Sequence, residues 1–173
     1  MKTRKRTIKV ELSVEGIDHA LKELDKFERH LLDACDKLID QLSDLGVETA
    51  RMYLYVETDG WTQHLEDSIH KEPVDKRYHV GRVRTDCPYA AFVEFGTGIR
   101  GAIGAAVTED TFPRYGYKPD GMGHGFEGWW YFNPNDGKVH WTQGEPPKPF
   151  MYTAYMRVRS EAGKVAETTF IRL

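Results

Sequence analysis

The chain has 173 residues, 40% of them hydrophobic and 29% charged, with a net charge of −3. That length suits one domain with a core of its own, and the acidic balance argues against general or sequence-specific nucleic-acid binding, which needs a basic surface to displace counterions. No apolar run approaches the roughly 18 residues of a membrane span, and the basic start "MKTRKRTIKVELSV" is not followed by the apolar stretch of a secretory signal.

Two cysteines, Cys35 and Cys87, make no disulfide framework and fit synthesis in a reducing cytoplasm. The charge is unevenly spread. Residues 17–54 carry nine acidic and five basic side chains, and residues 148–173 carry five basic and two acidic ones. Solvated helix faces account for this asymmetry. Oppositely charged faces of neighbouring subunits are the alternative.

In chain order, "TIKVELSV" at 7–14 alternates Ile8, Val10, Leu12 and Val14 against Lys9, Glu11 and Ser13. This predicts a half-buried strand. Gly16 then serves as a turn and helix N-cap. The strongest periodic signal follows. Ile17, Leu21, Leu24, Glu28, Leu31, Cys35, Leu38, Leu42, Leu45, Thr49 and Met52 step alternately by four and three. That is a seam of period 3.5 on a helix of roughly 54 Å, stopping at "ETDG", 57–60. A small domain cannot easily bury so long a helix. Part of the seam faces a partner, with Leu24, Leu31, Leu38, Leu42 and Leu45 as the candidate interface, or the helix breaks near Gly46, or it packs on its own sheet and overhangs.

Residues 65–72 and 76–85 read as two short strands around a Pro-containing turn, with Gly81 marking a bulge where the alternation changes phase. Next comes "PYAAFVEFGTG", 88–98, an apolar run with a single carboxylate. Residues 96–128 hold nine of the sixteen glycines and predict a long loop, flexible over 98–128. "WWYFNPNDGKVHWT", 129–142, predicts an aromatic hairpin turning at "NPNDG". "EPPKPF", 145–150, is a rigid connector. Residues 150–166 predict a helix with Met151, Ala154, Tyr155 and Val158 on one face, and "TTFIRL" a short strand or frayed tail. The whole predicts an α+β fold: a long N-terminal amphipathic helix and a C-terminal helix on a small, mainly antiparallel sheet, with a long Gly-rich loop.

Catalytic patterns are sparse. The seven histidines form no HxH, HExxH or His–Cys ligand spacing, so no metal and no cofactor is expected. There is no GxSxG, and "GMGHGFEG", 121–128, lacks the spacing of a dinucleotide fingerprint. Cys87 with His79 makes only a two-residue nucleophile–base guess, and nothing places Glu127 near Glu94. A carboxylate in an apolar run is costly unless it is paired or hydrogen-bonded. Glu94 is therefore expected to accept from the amides of Gly96–Thr97–Gly98 or to pair with Arg82 or Arg84. A catalytic acid of raised pKa is the rival.

"PYAAFVEFGTG" resembles the signature block of a tailed-phage morphogenesis family, a Pro-Tyr-Ala…Val-Glu-Phe-Gly-Thr pattern carried here by Pro88, Tyr89, Phe92, Glu94, Phe95, Gly96 and Thr97. A downstream Pro-x-x-Phe-Met-x-x-Ala element is similar to "PPKPFMYTAY", with Pro149, Phe150, Met151 and Ala154. An upstream Gly-x-x-x-x-Leu-x-x-Ser-Ile pattern is similar to "GWTQHLEDSI", with Gly60, Leu65, Ser68 and Ile69. The three blocks fall in the family's order and cover most of the chain. The resemblance implies a non-enzymatic head–tail connector, neck or tail-completion protein. Its expected place is the virion, as a homo-oligomeric ring among head connector and tail proteins, after synthesis in the bacterial host cytoplasm. It brings no catalytic residues. Tyr89, Phe92 and Phe95 are expected to pack the block on the sheet, Glu94 to fix the turn after it, and Pro149 and Phe150 to anchor the C-terminal helix. The long region from Gly98 to Trp141 departs from the pattern. The other function classes are a small hydrolase using Glu94, His140 or Cys87, and a host-directed interaction module using the aromatic hairpin.

Overall fold

The computed structural model describes residues 10–58, 62–98, 100, 128–133 and 136–171. Helix α1 runs Val14–Thr58, 45 residues without a break, or about 68 Å. It continues straight through Gly46. The strand expected over 7–14 does not form among its described residues: 7–9 lie outside them, 10–13 form no strand, and Val14 opens the helix. Ser13, not Gly16, makes the first bonds: its Oγ accepts the Gly16 amide at 3.0 Å and its carbonyl that of Ile17.

At the far end of α1 the Thr58 hydroxyl bonds the Leu54 carbonyl and the Thr62 hydroxyl, each at 2.6 Å. Both threonines are buried, so their hydroxyls satisfy each other where water is excluded. Thr62 leads into α2, Gln63–Ser68. The strand expected over 65–72 is therefore half helix. Strand β1, Ile69–Lys71, starts only after it and pairs antiparallel with β2, Val83–Thr85. The pairing sets Lys71 against Val83, continues with the Glu72 amide on the Arg82 carbonyl, and resumes with Asp75 against Val80. Two residues, Pro73 and Val74, thus oppose Gly81 alone, the two-to-one count of a bulge. Gly81 lies so close to Ser43 and Ile39 of α1 that a side chain there would collide with them.

Residues 90–95 are not an extended run on a sheet. They form α3, Ala90–Phe95. The hairpin falls where its turn chemistry placed it: β3, Trp129–Asn133, pairs with β4, Lys138–Thr142, with Trp130 facing Trp141 and Phe132 facing Val139. Among the described residues the strands form two separate two-stranded sheets instead of one. Helix α4, Phe150–Phe170, extends past 166, so Thr168, Thr169 and Phe170 of the expected strand or tail form its last turn.

The fold is α+β. Its core gathers Ala50 and Leu54 of α1, Leu65 of α2, Ile69 of β1, Cys87, Ala90 and Val93 around α3, and Phe150 and Ala154 of α4. Helix α4 runs back along α1. Phe150 shares the core with Leu54, Val158 lies against Gly46, and the Thr169 hydroxyl reaches Gln41 at 2.8 Å. Polar ties fix the smaller elements to α1. Arg51 Nη2 donates to the Ile69 carbonyl at 2.6 Å, Lys71 bridges Asp40 and Asp44 at 2.6 and 2.8 Å, and His79 meets Asp36 at 2.7 Å. His79 has a positive φ of 52°, which aims its ring from the turn onto the helix.

Candidate functional site

The three sequence blocks converge at the start of α4. Glu94, in the last turn of α3, is buried at 6% exposure. Its Oε2 accepts the Met151 amide at 2.8 Å and its Oε1 accepts the Tyr152 amide at 3.0 Å. These amides belong to the first turn of α4, where backbone donors have no partner within the helix. Pro149 holds the N-cap position and its side chain makes no cap bond. Glu94 supplies the cap from another element, with its negative charge at the positive end of the helix dipole.

This corrects the expected partners. The carboxylate fixes not the turn that follows it but a helix 57 residues downstream. The arginines are engaged elsewhere. Arg84 bonds Glu72 at 2.9 Å and Asp86 at 3.0 Å, and Arg82 lies 3.7 Å from Glu72. Burial pushes the Glu94 carboxyl above its ordinary range, while the amides of Met151, Tyr152 and Phe150 pull it back.

The turn after Glu94 is held by the connector instead. Gly96 leaves α3 with φ 71°, a conformation that favours glycine. The Thr97 amide donates to the Glu145 carbonyl and the Glu145 amide to the Thr97 hydroxyl, both at 2.9 Å. The Lys148 amide donates to the Val93 carbonyl at 2.8 Å. Gly144, with φ 96°, sits against the Thr97 carbonyl where any Cβ would collide. The "EFGT" block and the "EPPKPFM" block are thus stitched together residue by residue.

The aromatic residues of the block divide. Tyr89 precedes α3 and packs against the core, its ring 6.1 Å from that of His64. Pro88 is exposed in the turn before it, and Phe95 is half-buried. Phe92 does not pack on a sheet. It is 51% exposed and lines an apolar cleft of about 270 Å³ with Tyr89, Val93 and Pro146. Phe150 is 1% exposed at the head of α4, and the Pro149 carbonyl accepts both the amide and the hydroxyl of Thr153. Leu65 and Ile69 of the upstream block are fully buried beside them, and Gly60 lies outside the described residues.

The other candidates lie apart from this clasp in chemistry. Cys87 is buried in the core, and His140 bonds Asp136 at 2.7 Å across the hairpin turn. His79 is held by Asp36. His124, Glu127 and nearly all of the 98–128 loop fall outside the described residues. Among the described residues, no three His, Cys, Asp or Glu side chains are grouped to hold a metal ion, and no helix is long and apolar enough to cross a membrane.

The candidate interface splits along α1. Leu24 and Leu31 are exposed, whereas Leu38, Leu42 and Leu45 are half-buried. Leu42 lines a groove of about 320 Å³ with Ile39, Met151, Tyr155 and Val158, so this part of the seam meets α4 of its own chain. The aromatic hairpin expected from the sequence carries an exposed apolar face, where Trp130, Phe132, Val139 and Trp141 stand together. The alternation of these residues in "WWYFN" and "KVHWT" carried that signal. No family model, no curated protein and no solved structure matches the chain.

Proposed function

We propose that this chain is a non-enzymatic assembly protein of a tailed-phage or prophage virion, acting at the head–tail junction or in tail completion. One observation carries the reading. The residues that resemble the morphogenesis family form a structural clasp, in which both carboxylate oxygens of Glu94 are occupied by backbone amides of α4. A catalytic acid must reach a reacting atom, and this side chain is only 6% exposed. A cap needs the bonds seen here.

The surface supports the same reading. An exposed apolar helix seam and an exposed aromatic hairpin face are protein-binding chemistry rather than a polar substrate site. In this role the protein joins head connector and tail proteins as a homo-oligomeric ring. The test is a nonsense mutation of the gene in its inducible phage or prophage, with the lysate viewed by electron microscopy. The expected result is DNA-filled heads separate from tails, or heads without tails. Normal infectious particles overturn the proposal and return the hydrolase and host-interaction readings.

A further inference from the structure

Two faces of the molecule are complementary and too far apart along the fold to meet within one chain. The first lies on the N-terminal part of α1. There Ile17, Leu21, Leu24 and Leu31 form an apolar seam with exposures from 38 to 53%. Glu28 stands within that seam, four residues after Leu24 and three before Leu31, and is exposed. Asp18 and Asp25 flank it, and residues 14–35 carry six carboxylates against three lysines and arginines.

The second face is the outer side of α4. Tyr155, at the rim of the groove that it lines with α1, and Met156 are 55 and 41% exposed, and Arg159 falls between them around the helix. The nearby carboxylate Glu161 is already taken, by Lys164 at 3.1 Å and Arg157 at 3.6 Å. Among the described residues, neither Glu28 nor Arg159 has an ion pair. One turn beyond Arg159 sits Gly163, around which a side chain would meet nothing. A glycine inside a helix costs about 1 kcal/mol relative to alanine, and no contact of this chain requires it.

We propose that the α1 seam of one copy docks on the outer α4 face of a second copy, with Glu28 paired to Arg159 inside an otherwise apolar contact. A single polar pair in such a contact fixes register. Charge disfavours the parallel pairing of α1 with α1, in which the Glu28 side chains of the two copies would face each other between two acidic segments. The α1–α4 contact uses different patches on the two copies, so it either repeats reciprocally about a two-fold axis or continues into a closed ring or an open chain. It deepens the homo-oligomeric part of the reading above. Its failure would leave the place in the virion to be decided by the nonsense mutant.

The test is a charge swap read by sedimentation velocity of the full chain at low salt. Wild type should associate with rising concentration. E28K and R159E should each weaken that association by roughly tenfold or more, since each puts like charges together in the contact. The E28K/R159E double variant should regain it. So should an equimolar mixture of the two single variants, because every α1–α4 contact between unlike copies is then complementary. Both positions are exposed, so the melting temperature of each variant should match that of wild type and exclude misfolding. A monomeric wild type at every concentration overturns the proposal. So does association that survives both single changes, or that strengthens in E28K alone.

Discussion

Helix α1 is one helix with one apolar period and two different fates. From about Leu38 onward its seam meets α4, β2 and α2, and Ala50 and Leu54 are fully buried. Before Asp36 the same spacing of leucines is left open to solvent. The difference does not lie in hydrophobicity or helix propensity, since leucines recur in both halves. It lies in what the rest of the chain can reach. A helix of about 68 Å outruns a C-terminal helix of 21 residues, about 32 Å long. A period of hydrophobic residues specifies that a face must be covered; it does not specify by whom.

This contrast gives a graded set of expectations for stability. The largest effect belongs to the packed half. Phe150→Ala should cost about 3–5 kcal/mol, the usual range for deleting a buried aromatic ring, and chemical denaturation should show it. A cost under 1 kcal/mol would mean that α4 is not anchored in the core. Glu94→Ala should cost about 1–3 kcal/mol, because it leaves the Met151 and Tyr152 amides without their acceptor. If activity of some kind were lost with stability intact, the cap would not be the main role of this side chain.

The third expectation uses pH. The folded Glu94 carboxyl binds its proton more tightly than the ordinary value of 4.5. Where the folded chain is still protonated and the unfolded chain is not, unfolding releases a proton. The contribution of this group is therefore fully present below the ordinary value and is lost as pH rises through the raised one. The stability of wild type relative to E94Q should fall from acid toward neutral pH in parallel denaturation series. A relative stability that rises instead would show that the amide bonds and the helix dipole outweigh burial. The smallest effect belongs to the open half. Leu24→Ala should change the stability of the monomer by less than about 0.5 kcal/mol. A loss comparable to that of a core residue would erase the contrast between the two halves.

The sequence made some elements legible because their signals are local. The 3.5 period of α1 recurs over many turns, "NPNDG" fixes the turn of the β3–β4 hairpin, and the proline-rich connector marks the start of α4. The helices α2 and α3 were not legible. Each has six residues, under two turns, too short for a helical period to stand out from an apolar strand. Glu94 was recognisable as a carboxylate that needs partners, because burying charge in an apolar run is costly. Which partners it has was not, since Gly96, Thr97, Arg82 and Arg84 were all nearer in the chain than Met151 and Tyr152.

The sequence by itself therefore determined the α+β composition, the two long helices, the hairpin and its turn, and the demand for a satisfied carboxylate at position 94. These rest on periodicity, turn chemistry and desolvation, which act over a few residues. Tertiary structure alone decided that Glu94 caps α4, that Gly46 and Gly81 lie at close approaches to neighbouring side chains, and that half of the α1 seam stays open. These depend on which distant segments can reach one another in three dimensions, and that is set by the lengths and crossings of whole helices.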